Sequence, residues 1–190
     1  MRWITKSYLH LDRVATPWLI ARFVDPDAEF LFAPWDAPAA EDDGTRWFGV
    51  PGVQLSSHDA GGTCFAKVMR AYRLDDPALV LMERVIASGV ADALRTPPPP
   101  GQTEQEATLG VALNQLGSGL AIAFDDERHL EAGLALYEAL YALCQVQGLP
   151  AAVRDDVPAA LPDRVEYLRR AVGRGTDELL AAPTTEDHRP

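Results

Sequence analysis

Four consecutive prolines at positions 97–100 constrain the fold more than any other feature of the sequence. Prolines in series hold the backbone stiff and extended, and neither a helix interior nor a central strand accommodates them. Residues 96–101 therefore divide the chain. Apolar residues occur at both strand-like and helical spacing before this break, and at helical spacing after it. We expect an α+β fold, a predominantly α-helical single domain with a small N-terminal β-sheet.

The first half predicts strands over residues 2–11, 28–32 and 46–50, with a central helix between the first two. Thr16 followed by Pro17 is typical of a helix start. The threonine oxygen can accept a hydrogen bond from a free backbone N–H, and proline at the first helical position lacks only an N–H that would have no partner within the helix. Trp18 and Phe23 fall at spacings that place them on one inward face. Asp25, which precedes Pro26, is expected to lie beyond the end of the helix.

The second half predicts helices over residues 104–116 and from 126 to about 148, and a last amphipathic helix over 163–172. An apolar stripe repeats along the longest of these helices, through Leu130, Leu134, Tyr137, Leu140, Tyr141 and Cys144. The stripe is either core or the face of a homodimer, and the sequence leaves both open. We expect residues 1–148 to form the main domain, 149–182 a helical appendage with another turn at 177–180, and 183–190 a disordered tail.

The net charge of −11 limits the partners of the chain. Binding to nucleic acid or to an anionic membrane needs a basic footprint, so we expect no direct nucleic-acid binding by this chain. The apolar runs are too short to span a bilayer and the N-terminus has no signal-peptide core, which predicts no membrane insertion and a cytoplasmic protein. Two cysteines are too few for a disulfide framework.

The central helix also carries a family resemblance. Asp12-Arg13, Pro17-Trp18-Leu19-Ile20, Arg22-Phe23 and Asp25 match a pattern of the chromate-resistance protein family, the C-terminal domain of ChrB-type proteins. Weaker similarity at residues 76–79 and 136–142 extends the resemblance over about residues 1–148. The resemblance implies a role in chromate resistance beside a chromate efflux transporter, as an accessory or chromate-responsive regulatory protein.

Residues around the start of this helix suit an oxyanion such as chromate or sulfate. Guanidinium groups offer planar paired donors and a helix N-terminus offers oriented N–H groups, so Arg13 and Arg22 are expected to bind the anion together with Thr16 and Trp18. The alternative is structural, with both arginines paired to Asp12, Asp25 or Glu29.

A second set of residues suits a metal ion. His58 and Asp59 lie in a polar, glycine-containing loop, and with Asp12 and Glu29 they would hold one divalent transition metal as cofactor. The alternative is that His58 is a loop histidine that only forms hydrogen bonds. Relative to the family pattern, Ser57 replaces a histidine, Thr63 a cysteine and Ala66 an acid, which weakens the case for inherited metal chemistry.

Cys64 is the redox candidate. It lies next to a predicted helix start, where a thiolate is stabilised and could reduce an oxidant such as chromate. The alternative is a buried, inert thiol that packs as a small apolar side chain.

Three functions therefore stay open. The first is a chromate-resistance accessory or regulatory protein that binds an oxyanion or a metal ion. The second is a small metal-dependent enzyme of unknown substrate. The third is a structural or interaction module that dimerises through the stripe at residues 130–141. No phosphate loop, dinucleotide fingerprint or nucleophile elbow is present in the sequence.

Overall fold

The computed structural model describes residues 1–40 and 44–173. It confirms the α+β prediction: helices predominate, and a small sheet forms near the N-terminus. The strands are β1 (Arg2–Lys6), β2 (Glu29–Ala33) and β3 (Thr45–Trp47). The helices are α1 (Asp12–Phe23), α2 (Cys64–Tyr72), α3 (Pro77–Leu94), α4 (Glu104–Ala123), α5 (Asp126–Gln147), α6 (Ala151–Asp155) and α7 (Leu161–Ala171).

The sheet is parallel with the strand order β2-β1-β3. In this register Arg2 pairs with Glu29 and Thr45 at the amino ends of the strands, and Lys6 pairs with Ala33 at the carboxyl ends of β1 and β2. The chain leaves β1, crosses over through α1 to β2 on one side, and then places β3 on the other side. The direction of winding therefore reverses next to β1, and such a reversal point is where open parallel sheets leave a crevice at their carboxyl ends.

Helix α1 lies in the middle of the fold and is buried on most sides. Val14, Ala15, Leu19 and Ile20 are each at most 2% exposed. An α-helix with apolar residues all round has to be covered all round, and the sheet, α2, α3 and α5 provide that cover.

The predicted start of α1 is wrong. The helix begins at Asp12, four residues before Thr16, and Pro17 lies inside it. The early start depends on the backbone at Leu11, whose φ of 42° turns the chain so that the His10 and Leu11 carbonyls accept the first N–H groups of the helix. Thr16 is not the cap, since its hydroxyl is buried and donates to Asp12 Oδ1 at 3.3 Å.

Helices α2 and α3 begin at residues whose side chains cap them. Thr63 caps α2 by accepting the Ala66 N–H, and Asp76 caps α3 just before Pro77. Residues 96–101 contain no helix or strand, as the prolines predict. Helix α4 begins with a capping box between Thr103 and Glu106 and continues to Ala123, beyond the predicted end at residue 116.

Helices α3 and α4 cross at unusually close range. A Cβ on Gly110 would lie 2.4 Å from Ser88 Cβ and 2.7 Å from both Gly89 N and Val85 O. Only glycine allows that approach. Arg84 of α3 also donates to Glu106 of α4 at 2.7 Å and forms an ion pair with it.

The described part of the chain divides into two compact units, one that ends at Tyr141 and one that begins at Ala142. In the first, the α5 stripe packs inward, with Leu130, Tyr137, Leu140 and Tyr141 buried, which agrees with the core alternative for this stripe. In the second, α6 precedes α7, and Tyr167 of α7 donates to Val153 O of α6 at 2.9 Å. The turn expected at 177–180 and the tail at 183–190 lie outside the described residues. Among the described helices, none combines the length and the hydropathy that a bilayer crossing requires.

Candidate functional site

A cavity of about 440 Å³ lies at the carboxyl edge of the sheet, where the winding reverses. Strand β1, the turn after β3, the first turn of α1, the loop at residues 57–58 and the last turn of α3 form its walls. The lining residues are Lys6, His10, Leu11, Asp12, Arg13, Trp35, Gly49, Val50, Pro51, Ser57, His58, Val90, Ala93 and Leu94. We call this space the switch-point cavity. Its position is the one that parallel sheets commonly use for ligands.

Arg13 is fixed at the wall of the switch-point cavity by main-chain carbonyls. Its guanidinium donates to Lys6 O at 3.0 Å, to Ser7 O at 3.1 Å and to Tyr8 O at 2.6 Å. The same group lies over the ring of Trp35, 5.2 Å from the centroid. A guanidinium has five N–H donors, so the three bonds to described residues leave donors for a ligand. Burial lowers the pKa of Arg13, an effect opposed by Asp126 and Asp12.

Lys6 supplies the second positive charge. Its ammonium donates to Pro34 O at 3.2 Å and to Ala37 O, and it lies 5.3 Å from the centroid of the Trp47 ring. These partners hold Lys6 in place but carry no negative charge. Within the described part of the chain, neither Lys6 nor Arg13 pairs with a carboxylate.

Asp12 joins the starts of two helices at the base of the cavity. It is 6% exposed. Its carboxylate accepts the N–H of Cys64 at 2.6 Å and the N–H of Phe65 at 2.9 Å, which are the first residues of α2. Burial raises the pKa of Asp12, while these bonds and the nearby His58 oppose the rise. The N-terminus of α2 thus stabilises a buried carboxylate that would otherwise be costly.

His58 lies exposed on the rim of the cavity. It forms no hydrogen bond or ion pair with the described residues, and it acts on Asp12 through charge alone. Its neighbour Asp59 is occupied instead: it accepts from Ser56 Oγ at 2.9 Å and from Gly61 N at 2.7 Å, and pairs with Lys67 at 2.7 Å. The Lys67 ammonium is the main reason that the pKa of Asp59 falls to about 2. The Asp59 carboxylate therefore bonds to its own loop and to Lys67, whereas His58 lines the cavity.

The predicted oxyanion set does not meet at one place. Arg22 follows Arg13 by nine residues, which at about 100° per residue puts the two on opposite sides of the helix. Arg22 pairs with Glu138 at 3.7 Å, and Trp18 is buried and donates to the same carboxylate at 2.9 Å. The hydroxyl of Thr16 is hydrogen-bonded to Asp12. Of the four predicted residues, only Arg13 lines the switch-point cavity.

The predicted metal set is also divided. Asp12 and His58 line one cavity, whereas Glu29 lies at the opposite end of the parallel strands, about 13 Å from their carboxyl ends. Asp59 is turned into its own loop. Among the described residues, no group of three His, Cys, Asp or Glu side chains is arranged to hold a metal ion.

Cys64 is fully buried, and its thiol donates to Leu55 O at 3.3 Å. Burial, together with the charge of Asp12, raises the pKa of Cys64 well above its usual range. A thiol in this state is a poor nucleophile and a poor reductant. The geometry agrees with the alternative that Cys64 is an inert core residue.

Sequence reasoning missed Lys6, His10 and Trp35. Lys6 ends β1 and Trp35 follows β2 by two residues, so the rule that ligands bind at the carboxyl ends of parallel strands could have identified both. His10 is held by Ser118 Oγ at 3.0 Å, and burial lowers the pKa of its imidazole. Nothing in the local sequence indicates that contact, which spans 108 residues.

Comparisons with known proteins identify the family. The family model described as ChrB, C-terminal domain, matches residues 3–144. Protein ChrB of Cupriavidus metallidurans is 55% identical to the chain over 31 residues, which make up 16% of this chain and 10% of that protein. The aligned part thus spans about a tenth of the curated relative. No solved structure matches the chain. Because the family model covers the greater part of the sequence, the chain belongs to the ChrB C-terminal domain family.

Proposed function

We propose that this chain is a chromate-resistance accessory or regulatory protein that binds chromate or a related oxyanion in the switch-point cavity. Family membership supports the chromate-resistance part of the proposal. The observation that carries the binding part is the placing of Lys6 and Arg13 in one cavity, each held by neutral carbonyl groups. His58 adds a third nitrogen donor from the rim.

The local charge of the cavity favours an anion although the chain as a whole is acidic. Lys6 and Arg13 are positive, and the single acid among the lining residues, Asp12, has its carboxylate bound to the N-terminus of α2. The negative charge of Asp12 is therefore partly offset by oriented N–H groups. The net charge of −11 argues against direct binding of this chain to DNA, so a regulatory role would require a partner protein.

A metal-dependent enzyme is less well supported by the geometry. His58 and Asp12 line the same cavity, but both Asp12 oxygens already accept hydrogen bonds, and no described third ligand joins them. Metal analysis of the purified protein and of His58→Ala tests this alternative. Stoichiometric metal that is lost in the variant would favour it over the oxyanion proposal.

The direct test is calorimetric titration of the purified protein with sulfate and with chromate at fixed ionic strength. We expect binding that is weakened about ten- to a hundredfold by Lys6→Met, because one charge-assisted contact contributes about 1.5–3 kcal/mol. His58→Ala should also weaken binding, and because His58 is exposed it should do so without loss of fold.

Arg22→Gln is the matched control. It removes the same formal charge as Lys6→Met from an arginine that is 49% exposed and lies outside the cavity. We expect it to leave oxyanion affinity unchanged. Equal losses in both variants would mean that net charge rather than the cavity determines binding. Absence of binding in the wild-type protein would refute the proposal.

A further inference from the structure

The switch-point cavity is much larger than the inorganic oxyanions that its charges would attract. Four oxygens of about water size fill roughly 120 Å³, taking ~30 Å³ for each. The cavity holds about 440 Å³, which is in the range of sites for organic molecules. A bare chromate or sulfate ion would leave most of that space to water.

The part of the cavity wall that α3 forms is apolar. Val90, Ala93 and Leu94 come from the last turns of α3, at spacings of three and four residues that put them on one helix face. Val50 and Leu11 add to this surface. Water molecules find no hydrogen-bond partner on such a wall. A ligand that replaces them with an apolar group is stabilised by the hydrophobic free energy of burial.

The same wall continues into a second cavity of about 510 Å³. His58, Val90 and Leu94 line both spaces, and the second one runs beside the proline segment at 97–100 to Gln102. Asp59 and Glu83 line this second cavity as well, and burial raises the pKa of Glu83. Arg84 also lines this space but pairs with Glu106, and Asp59 pairs with Lys67, so both of these charges are balanced by a neighbour. The raised pKa of Glu83 favours its neutral form, so the space beyond His58 suits a neutral part of a ligand.

We infer that the natural ligand of the switch-point cavity is an organic oxyanion with one charged end and an apolar body. This inference rests on the proposed oxyanion site and specifies its ligand class. The oxyanion lies against Lys6 and Arg13, and the body lies on the α3 face at Val90 and Leu94. Trp35 stands at the cavity with 64% of its surface exposed and offers an aromatic face to the same body.

The test uses a matched series of phosphate monoesters, which share one anionic group and differ in the body. Methyl phosphate, phenyl phosphate and 1-naphthyl phosphate are titrated by calorimetry into the full chain at fixed ionic strength. We expect 1-naphthyl phosphate to bind about tenfold more tightly than methyl phosphate or better, since burying roughly 60 Å² of apolar surface is enough for that factor.

Two leucine variants locate the gain. Leu94 and Leu116 are 48% and 56% exposed, so replacing either by serine should leave the fold intact. Leu94→Ser should reduce the naphthyl-to-methyl ratio several-fold with methyl phosphate affinity unchanged. Leu116→Ser, on α4 and outside both cavities, should leave the ratio as in the wild type.

The outcomes separate this inference from the proposal beneath it. Equal affinity for the methyl and naphthyl esters, with binding still dependent on Lys6, would overturn the organic-ligand inference and leave the oxyanion site standing. A naphthyl preference that survives Leu94→Ser would also overturn it. Failure of sulfate, chromate and every ester to bind would overturn both.

Discussion

Substitution of Gly49 by alanine tests how the position of Arg13 is set. Gly49 follows β3 with a φ of +64°, and a Cβ added there would lie 2.8 Å from Arg13 Cγ and 3.3 Å from Arg13 Cδ. These atoms are in the middle of the arginine side chain, and the guanidinium beyond them is bonded to three carbonyls. The methyl group therefore requires a shift of Arg13 Cγ and Cδ, and we expect that shift to displace the guanidinium from its carbonyl partners.

The expected loss in the free energy of unfolding of Gly49→Ala has two parts. An alanine in the left-handed region costs about 1–2 kcal/mol, and overpacking against a fixed group costs about 1–3 kcal/mol more. Gly52→Ala provides the control, because Gly52 also has a positive φ of +84° but has nothing within 4 Å of its added Cβ. We expect Gly52→Ala to lower the free energy of unfolding by only the first part, and Gly49→Ala by the sum of both.

Urea unfolding, analysed for midpoint and slope, measures both losses. Calorimetry with sulfate then tests the site: Gly49→Ala should weaken oxyanion affinity by displacing Arg13, whereas Gly52→Ala should not. If the two variants lose equal stability and keep equal affinity, Arg13 is not fixed by its contact with Gly49 and the description of the cavity wall is wrong.

Three further predictions concern the fold around the site. Gly110→Ala should lower the free energy of unfolding by about 2 kcal/mol in urea denaturation, since its Cβ would meet fixed atoms of α3, whereas Gly119→Ala on the same helix has open space and should raise it by up to about 1 kcal/mol. Asp59 has a folded pKa of about 2, below its usual value, so it stabilises the fold at neutral pH and that contribution is lost as the pH falls from about 4 to 2. Asp59→Asn should therefore flatten the acid limb of a stability-against-pH curve, and an unchanged limb would contradict the ion pair with Lys67. Cys64 should resist a thiol reagent in the folded protein and react in 8 M urea, so rapid labelling of Cys64 under native conditions, after Cys144→Ala, would contradict its burial.

The start of α1 shows where local sequence reasoning ends. Thr16 and Pro17 resemble a helix start, yet the helix begins four residues earlier. The reason lies in distant contacts: Asp126 of α5 accepts the N–H groups of Tyr8 and Leu9, across 118 and 117 residues respectively. These bonds fix the turn from which α1 starts, and no nearby residue encodes them.

The separation of Arg13 from Arg22 could have been predicted from the sequence. A separation of nine residues puts Arg13 and Arg22 on opposite sides of any α-helix, so helical phase alone argues against a shared ligand. Arg13 of the predicted oxyanion set and Asp12 and His58 of the predicted metal set line the same cavity. Lys6 ends β1 and Trp35 follows β2, so the rule that ligands bind at the carboxyl ends of parallel strands could have added both.

The chemical identity of the partners of each charged group supports the proposed anion site in an acidic chain. Arg84, Lys67 and Arg22 pair with carboxylates, so each of these cations is cancelled by a neighbour of opposite charge. Lys6 and Arg13 are oriented by carbonyl dipoles, which hold a cation in place without cancelling its charge. The negative charge of Asp12 is stabilised in turn by backbone N–H groups, which the first turn of α2 donates to its carboxylate. Asp126 and Asp12 act on Arg13 through their charge, and the chain carries a net charge of −11, so long-range attraction of an anion is weak. If the proposed site is correct, short-range donors select its ligand.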